Sequence, residues 1–220
     1  MNAEHGGGDL LVTAGGRQWR LRRSADLETL WEQLGEKDFA DERIPYWTEL
    51  WPASLALAAW LREQPLAGKI CLDLGCGLGL TAMLAASLDA KVLACDYESA
   101  ALLAARQNAA LNGIGGIRWL CMDWRAPCLA PASLDYIWAA DILYERRSME
   151  PVLALLARAI APHGDIWIAE PGRAIFLDFL ELARNRGWQA EAARRERVRA
   201  IRPQASGIDV TVWRLRPPLE

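Results

Sequence analysis

From residue 68 onward the chain alternates short apolar runs with longer segments of helical character. The apolar runs Lys69–Asp73, Lys91–Asp96, Ile117–Met122, Leu134–Ala139 and Asp165–Ala169 read as buried strands. Helices are predicted between them, over about Leu80–Leu88, Ser99–Asn112 and Pro151–Ala161, with Pro151 at a first-turn position. On the second of these, Ala100, Leu103, Ala104 and Leu111 are expected to share one face. A further helix over Ala174–Arg186 is stopped by Gly187, before a strand near Gln189–Arg199 and an alternating strand Asp209–Leu215. Upstream, Leu10–Val12 and Gln18–Arg22 read as short strands, the second with Trp19 and Leu21 on one face. Ser24 is placed to cap a helix over Ala25–Leu34, which Gly35 ends, and another helix spans about Ser54–Gln64, ended by Pro65. This βαβα succession predicts an α/β fold: a mostly parallel, Rossmann-like sheet with helices on both faces and its ligand at the carboxyl ends of the strands. Residues 1–44 are expected to form an N-terminal extension, and residues 45–220 the main domain.

Composition narrows the class. The 220 residues are 52% hydrophobic, enough for a substantial core, yet no apolar run approaches the roughly 20 residues of a membrane span. The first residues show neither the basic nor the apolar segment of a secretory leader, and the odd count of five cysteines contains no Cys-x-x-Cys pair. Both point to a reducing, cytoplasmic setting. Cys71, Cys95 and Cys121 fall in predicted strands and are expected to be buried. With only His5 and His163 no metal site is expected, and a net charge of −3 argues against a broad nucleic-acid surface. Arg184, Arg186, Arg194, Arg195, Arg197, Arg199 and Arg202 make the C-terminal region locally basic, offset by Glu191 and Glu196. That stretch reads either as a solvated face or as a dock for an acidic protein, with RNA the weaker third reading.

The candidate chemistry begins at Asp73-Leu74-Gly75-Cys76-Gly77-Leu78-Gly79, a glycine loop between a strand and a helix. Such loops bring backbone N–H groups close to a nucleotide-like ligand. Asp73, Asp96 and Asp123 end successive strands at the ligand edge. A carboxylate at Asp96 suits the two hydroxyls of a ribose, and Asp123 suits an adenine amino group. The G-x-G-x-x-G spacing of dinucleotide folds is not met, since position 80 is Leu, and no Gly-Lys-Ser/Thr follows to make a Walker loop. Asp73 fits poorly beside a pyrophosphate but suits the cationic end of S-adenosylmethionine. Trp47 and Trp51, in the aromatic segment Pro45–Ser54, read either as core anchors or as pocket walls.

The loop Asp73–Gly79 with Asp96 after the second strand resembles motif I and its acidic partner in the class I methyltransferases, over roughly residues 45–170. That resemblance implies a seven-stranded sheet with its last strand antiparallel, for which Asp209–Leu215 is suited. A narrower resemblance is to the family-16 methyltransferases, the group with small protein-lysine methyltransferases. It rests on Trp51-Pro52-Ala53, Asp123-Trp124 and Ala140-Asp141-Ile142-Leu143-Tyr144. Pro45-Tyr46-Trp47, Trp51 and Glu170-Pro171-Gly172-Arg173 are also similar to the branch acting on the electron-transfer flavoprotein β subunit. The cofactor implied is S-adenosylmethionine, leaving as S-adenosylhomocysteine. The residues implied to bind it are Trp51, Asp73, Gly75, Cys76, Gly77, Gly79, Asp96, Tyr97, Asp123, Trp124 and Ala140, with Asp141 and Tyr144 facing the methyl acceptor.

Asp141 is expected to orient an incoming ammonium by a charge-assisted hydrogen bond, and Tyr144, one helical turn on, to hold it by its ring face or hydroxyl. The segment lacks the prolines of enzymes that methylate base nitrogens or glutamine amides, usually Asn/Asp-Pro-Pro-Tyr. Three readings stay open: a lysine N-methyltransferase acting on a protein partner, a small-molecule N-methyltransferase for a nicotinamide-like heterocycle, and a non-catalytic module that binds S-adenosylmethionine or a partner. The oligomeric state is not set by any of these features.

Overall fold

The computed structural model describes residues 9–23, 46–199 and 207–218. The helix expected at Ala25–Leu34, Pro45 of the aromatic segment, and Arg202 lie outside them. The elements are β1 (Asp9–Ala14), β2 (Arg17–Arg22), a 3-10 turn (Tyr46–Thr48), α1 (Pro52–Leu61), β3 (Ile70–Leu74), α2 (Leu80–Ala86), β4 (Lys91–Asp96), α3 (Ser99–Leu111) and β5 (Arg118–Cys121). There follow β6 (Leu134–Ala140), a 3-10 turn (Arg146–Ser148), α4 (Met149–Ala159), β7 (Ile160–Glu170), α5 (Ala174–Asn185), β8 (Gln189–Val198) and β9 (Ile208–Arg216).

Seven strands form one sheet in the order β5-β4-β3-β6-β7-β9-β8. Pairing from β5 to β7 is parallel, and β9 runs antiparallel to both β7 and β8, so the expected doubly wound sheet with an antiparallel last strand is present. The chain winds outward from β3 through β4 to β5, then returns to lay β6 on the other side of β3. That reversal leaves a crevice at the carboxyl ends of β3 and β6, where such sheets take their ligands.

Alternation along the strands divides the core into two layers. Trp138, Trp167, Val210 and Val212 face α1, α2 and α3. Ile137, Ile166, Ile168 and Leu215 face α4 and α5. Trp167 stacks on Tyr136 at 4.6 Å and meets Trp60 of α1 edge-on at 6.1 Å. Pro52 sits in the first turn of α1, where its missing N–H costs nothing.

The β1–β2 hairpin is a separate two-stranded sheet, but Trp19 and Leu21 are fully buried in the same cluster as α1 and α2. It docks on α3 through two asparagine amides one turn apart. Asn108 Oδ1 accepts the Arg22 N–H at 2.7 Å, and Asn112 Oδ1 accepts the Arg20 N–H at 3.0 Å. Asn112 Nδ2 donates back to the Arg20 carbonyl at 2.7 Å, so the helix satisfies the free edge of β2 much as a neighbouring strand would.

Three expectations are corrected. The buried face of α3 is Ala101, Leu102, Ala105, Asn108 and Ala109, while Leu103 and Leu111 are exposed. Cys121 ends an edge strand and is exposed, unlike Cys71 and Cys95. α4 ends at Ala159 and β7 starts at once, because Ile160 already pairs with Leu134 ahead of a register shift. Among the described residues no helix is long and apolar enough to cross a membrane, and no group of three or more His, Cys, Asp or Glu is placed to hold a metal.

Candidate active site

The crevice is a cavity of about 430 Å³ bounded by the glycine loop, the ends of β4, β5 and β6, and the aromatic segment before α1. Of the sequence-predicted residues, Trp51, Gly75, Cys76, Gly77, Asp96, Tyr97, Asp123, Trp124, Ala140, Asp141 and Tyr144 all line it. Trp47 lines it too, so both tryptophans of the aromatic segment serve as cavity wall.

Asp73 and Gly79 are not among the lining residues. Asp73 is only 2% exposed, and its Oδ2 accepts the Thr81 hydroxyl at 2.6 Å, tying β3 to the first turn of α2 behind the loop. Burial pushes its carboxyl up to about 7, against the lowering effect of the Thr81 hydrogen bond. Asp73 therefore braces the loop instead of presenting charge to a ligand. Gly79 has φ of +82°, and a Cβ there would lie 2.9 Å from the Cβ of Ala105. The glycine is needed for α2 to start against α3.

Asp96 ends β4 with both oxygens engaged by the backbone. Oδ2 accepts the Gly77 N–H at 3.0 Å, and Oδ1 accepts the Glu98 N–H at 3.0 Å. Its carboxyl is raised by burial, with these two bonds opposing. Each oxygen retains a second lone pair, so the pose for a diol is preset. Asp123 accepts from Arg125 Nε and Nη2 at 2.9 and 2.6 Å, and this pairing holds its carboxyl below the usual range. The Arg125 guanidinium in turn lies 6.0 Å from the ring of Tyr97.

At the other end, Asp141 has φ of +54°, and its N–H donates to the Ala169 carbonyl at 2.9 Å. Its carboxylate, 3% exposed, accepts from Arg173 Nε at 2.6 Å and Nη2 at 2.8 Å. The residues between Asp141 and Tyr144 form an irregular loop, not the helical turn expected. Within it Ile142 covers the glycine loop so closely that a Cβ on Gly75 would meet its Cγ2 at 2.7 Å. The Tyr144 ring lies 4.9 Å from Tyr46, which lies 6.0 Å from Trp51, whose Nε1 donates to the Tyr46 carbonyl at 2.9 Å. Burial, then the nearby Glu145 carboxylate, pushes the Tyr144 phenol up, so it is neutral at physiological pH and acts as a ring or a hydroxyl donor. Tyr46, Arg125, Glu170 and Arg173 carry contacts that sequence reasoning left unassigned. The only advance signal for the last two was the Glu-Pro-Gly-Arg resemblance.

Residues 71–164 match the family model of a methyltransferase domain. That match bears out the resemblance to the class I methyltransferases. The chain is 32% identical over 145 residues to an electron transfer flavoprotein beta subunit lysine methyltransferase from Danio rerio, a match covering 61% of this chain and 53% of the relative. It is 30% identical over 133 residues to a ribosomal protein L11 methyltransferase from Edwardsiella ictaluri, covering 58% and 45%. The chain thus spans about half the length of these curated relatives. In fold the chain resembles the ribosomal protein L11 methylase from Lactobacillus delbrueckii subsp. bulgaricus, with a TM-score of 0.57, 21% identity, and coverage of 76% and 78% of the two chains. S-adenosylmethionine is the cofactor that the methyltransferase-domain match supports. The residues present fit it: two glycines of the loop, a preset carboxylate at Asp96 and aromatic walls at Tyr97 and Trp124 share one cavity.

Proposed function

We propose that the protein transfers a methyl group from S-adenosylmethionine to a lysine side chain of a protein partner. The observation that carries this reading is the acceptor end of the cavity. Asp141 there lies beside an aromatic wall of Tyr46, Trp51 and Tyr144. A carboxylate beside ring faces recognises an alkylammonium, and the rings then shelter the amine from water once it has lost its proton. Bound S-adenosylmethionine supplies an electrophilic methyl on a sulfonium.

The residues of the chain position the partners. In this reading Asp96 holds the ribose, Asp123 and Trp124 flank the adenine, and Gly75, Cys76, Gly77 and Ala140 form the floor. Asp141 orients the acceptor nitrogen through the lone pairs that Arg173 leaves open, and Tyr144 packs against its carbon chain. The lysine methyltransferase of the flavoprotein subunit and the ribosomal protein methyltransferases among the relatives support a protein acceptor.

Incubating the protein with methyl-labelled S-adenosylmethionine and a cell lysate tests the proposal. Label is expected in a protein band, and after acid hydrolysis it is expected to co-migrate with methyl-lysine. Label confined to the small-molecule fraction would instead support a small-molecule acceptor. No label in any fraction, with cofactor still bound, would support a non-catalytic module. The Asp141→Ala variant is expected to bind cofactor and lose about 10²-fold or more of the labelling rate, the scale of losing a group that orients a reactant. Undiminished turnover would remove Asp141 from the reaction.

A further inference from the structure

Asp141 sits in a conformation that few non-glycine residues adopt, with its carboxylate almost wholly buried at the edge of the cavity. A buried carboxylate holds a fixed direction only when its oxygens are bound. Both are bound by one residue, Arg173, which is 32 positions away in sequence and is not among the residues lining the cavity. The guanidinium offers Nε and Nη2 as a planar fork, a geometry that orients the carboxylate plane as well as neutralising it.

Arg173 is itself held from two sides. Glu170, 6% exposed, accepts the Gly172 N–H at 2.8 Å and the Arg173 N–H at 2.9 Å, which fixes the turn leading into α5. The guanidinium also lies 5.9 Å from the ring of Trp51, which belongs to the cavity wall. One side chain therefore joins the carboxylate of the acceptor end to the aromatic wall beside it. We propose that Arg173 is the positioning residue of this site: it aims the Asp141 carboxylate at the place where the methyl group is transferred. The inference rests on the role given above to Asp141, but not on the acceptor being a lysine.

A test that needs no acceptor uses two cofactor analogues. S-adenosylhomocysteine has a bare sulfur at the reacting position. Sinefungin carries a carbon bearing an amine there, and at neutral pH that amine is a cation. The calorimetric affinity of each is measured for the parent, Arg173→Ala and Arg173→Lys. The parent is expected to favour sinefungin by about tenfold or more, the scale of one charge-assisted hydrogen bond. Arg173→Ala is expected to bind S-adenosylhomocysteine within about twofold of the parent and to lose that preference, regaining part of it when guanidinium ion is added. Arg173→Lys, which keeps the charge without the fork, is expected to fall between them.

A parent without preference, or an Arg173→Ala variant with its preference intact, overturns the proposal. If Arg173→Ala does not fold, an Arg173→Lys variant equal to the parent overturns it. A parent that binds neither analogue overturns the methyl-transfer reading as well. A protein that favours sinefungin yet labels no lysine loses only the acceptor.

Discussion

Asp73 shows how residue-scale physics separates two carboxylates on neighbouring strands. Asp96 faces the cavity and is satisfied by two backbone N–H groups, whereas Asp73 is turned inward onto Thr81. Burial raises the folded-state carboxyl of Asp73 to about 7 from an ordinary value of 3.8. The sign of the linkage follows. The folded protein binds the proton more tightly than the unfolded chain, so this group's contribution to stability is complete below about pH 4 and is lost as pH rises through about 7. Asp73→Asn keeps an acceptor for Thr81 and carries no charge. Its stability relative to the parent is expected to improve by up to about 4 kcal/mol between pH 4 and pH 8. Urea denaturation at the two ends of that range measures the difference, and a gap that stays constant with pH would show that Asp73 does not titrate in the folded protein. Which strand-end acid faces the ligand was not legible in the sequence. All three stand at or beside a predicted strand end, and it is the path of the glycine loop that turns Asp73 inward while Asp96 and Asp123 line the cavity. The Arg173 partner of Asp141 was hidden for the same reason, since the pair forms between two separate strand ends.

Elements were more legible than their faces. Strand positions follow from contiguous apolar runs, and β4 occupies the residues predicted, Lys91–Asp96. The face of α3 was misread because alanines lie all round it, so its apolar periodicity has no sharp direction. The better signal was polar. Asn108 and Asn112, one turn apart, mark the side that receives β2. Asn108 is fully buried, and its Nδ2 also donates to the Leu78 carbonyl at 3.1 Å, so it fastens the hairpin, the helix and the glycine loop at one point. Asn108→Ala leaves the Arg22 N–H and the Leu78 carbonyl without their partner and is expected to cost about 2–3 kcal/mol. Asn112→Ala, nearer the surface, is expected to cost about 1 kcal/mol. Chemical denaturation of the two variants gives the comparison, and equal, negligible losses would mean that apolar contact alone holds the hairpin.

At the scale of the whole molecule, the doubly wound topology was legible because each βα unit announces itself, and the crevice at β3 and β6 follows from strand order alone. In the basic C-terminal region three of the described arginines are paired. Arg186 meets Glu150, Arg194 meets Glu63, and Arg197 meets Asp209, pairs that suit a solvated face at those three positions. The relation of the N-terminal segment to the rest was not legible, since Trp19 and Leu21 alternate as they would in any half-buried strand. Both are fully buried beside Ala82, Met83 and Leu84 of α2 and Leu57 and Leu61 of α1, in the layer that also backs the glycine loop. A core shared in this way makes the hairpin and the seven-stranded sheet one cooperative unit. Thermal unfolding followed by tryptophan fluorescence and by far-ultraviolet circular dichroism is therefore expected to give coincident single transitions. Trp19→Ala is expected to lower stability by about 3–5 kcal/mol, because a large side chain leaves a cavity that the surrounding helices close only in part. A separate early transition that vanishes in Trp19→Ala would instead identify the hairpin as an independent lobe. The cofactor crevice would then stand on the sheet and its helices alone.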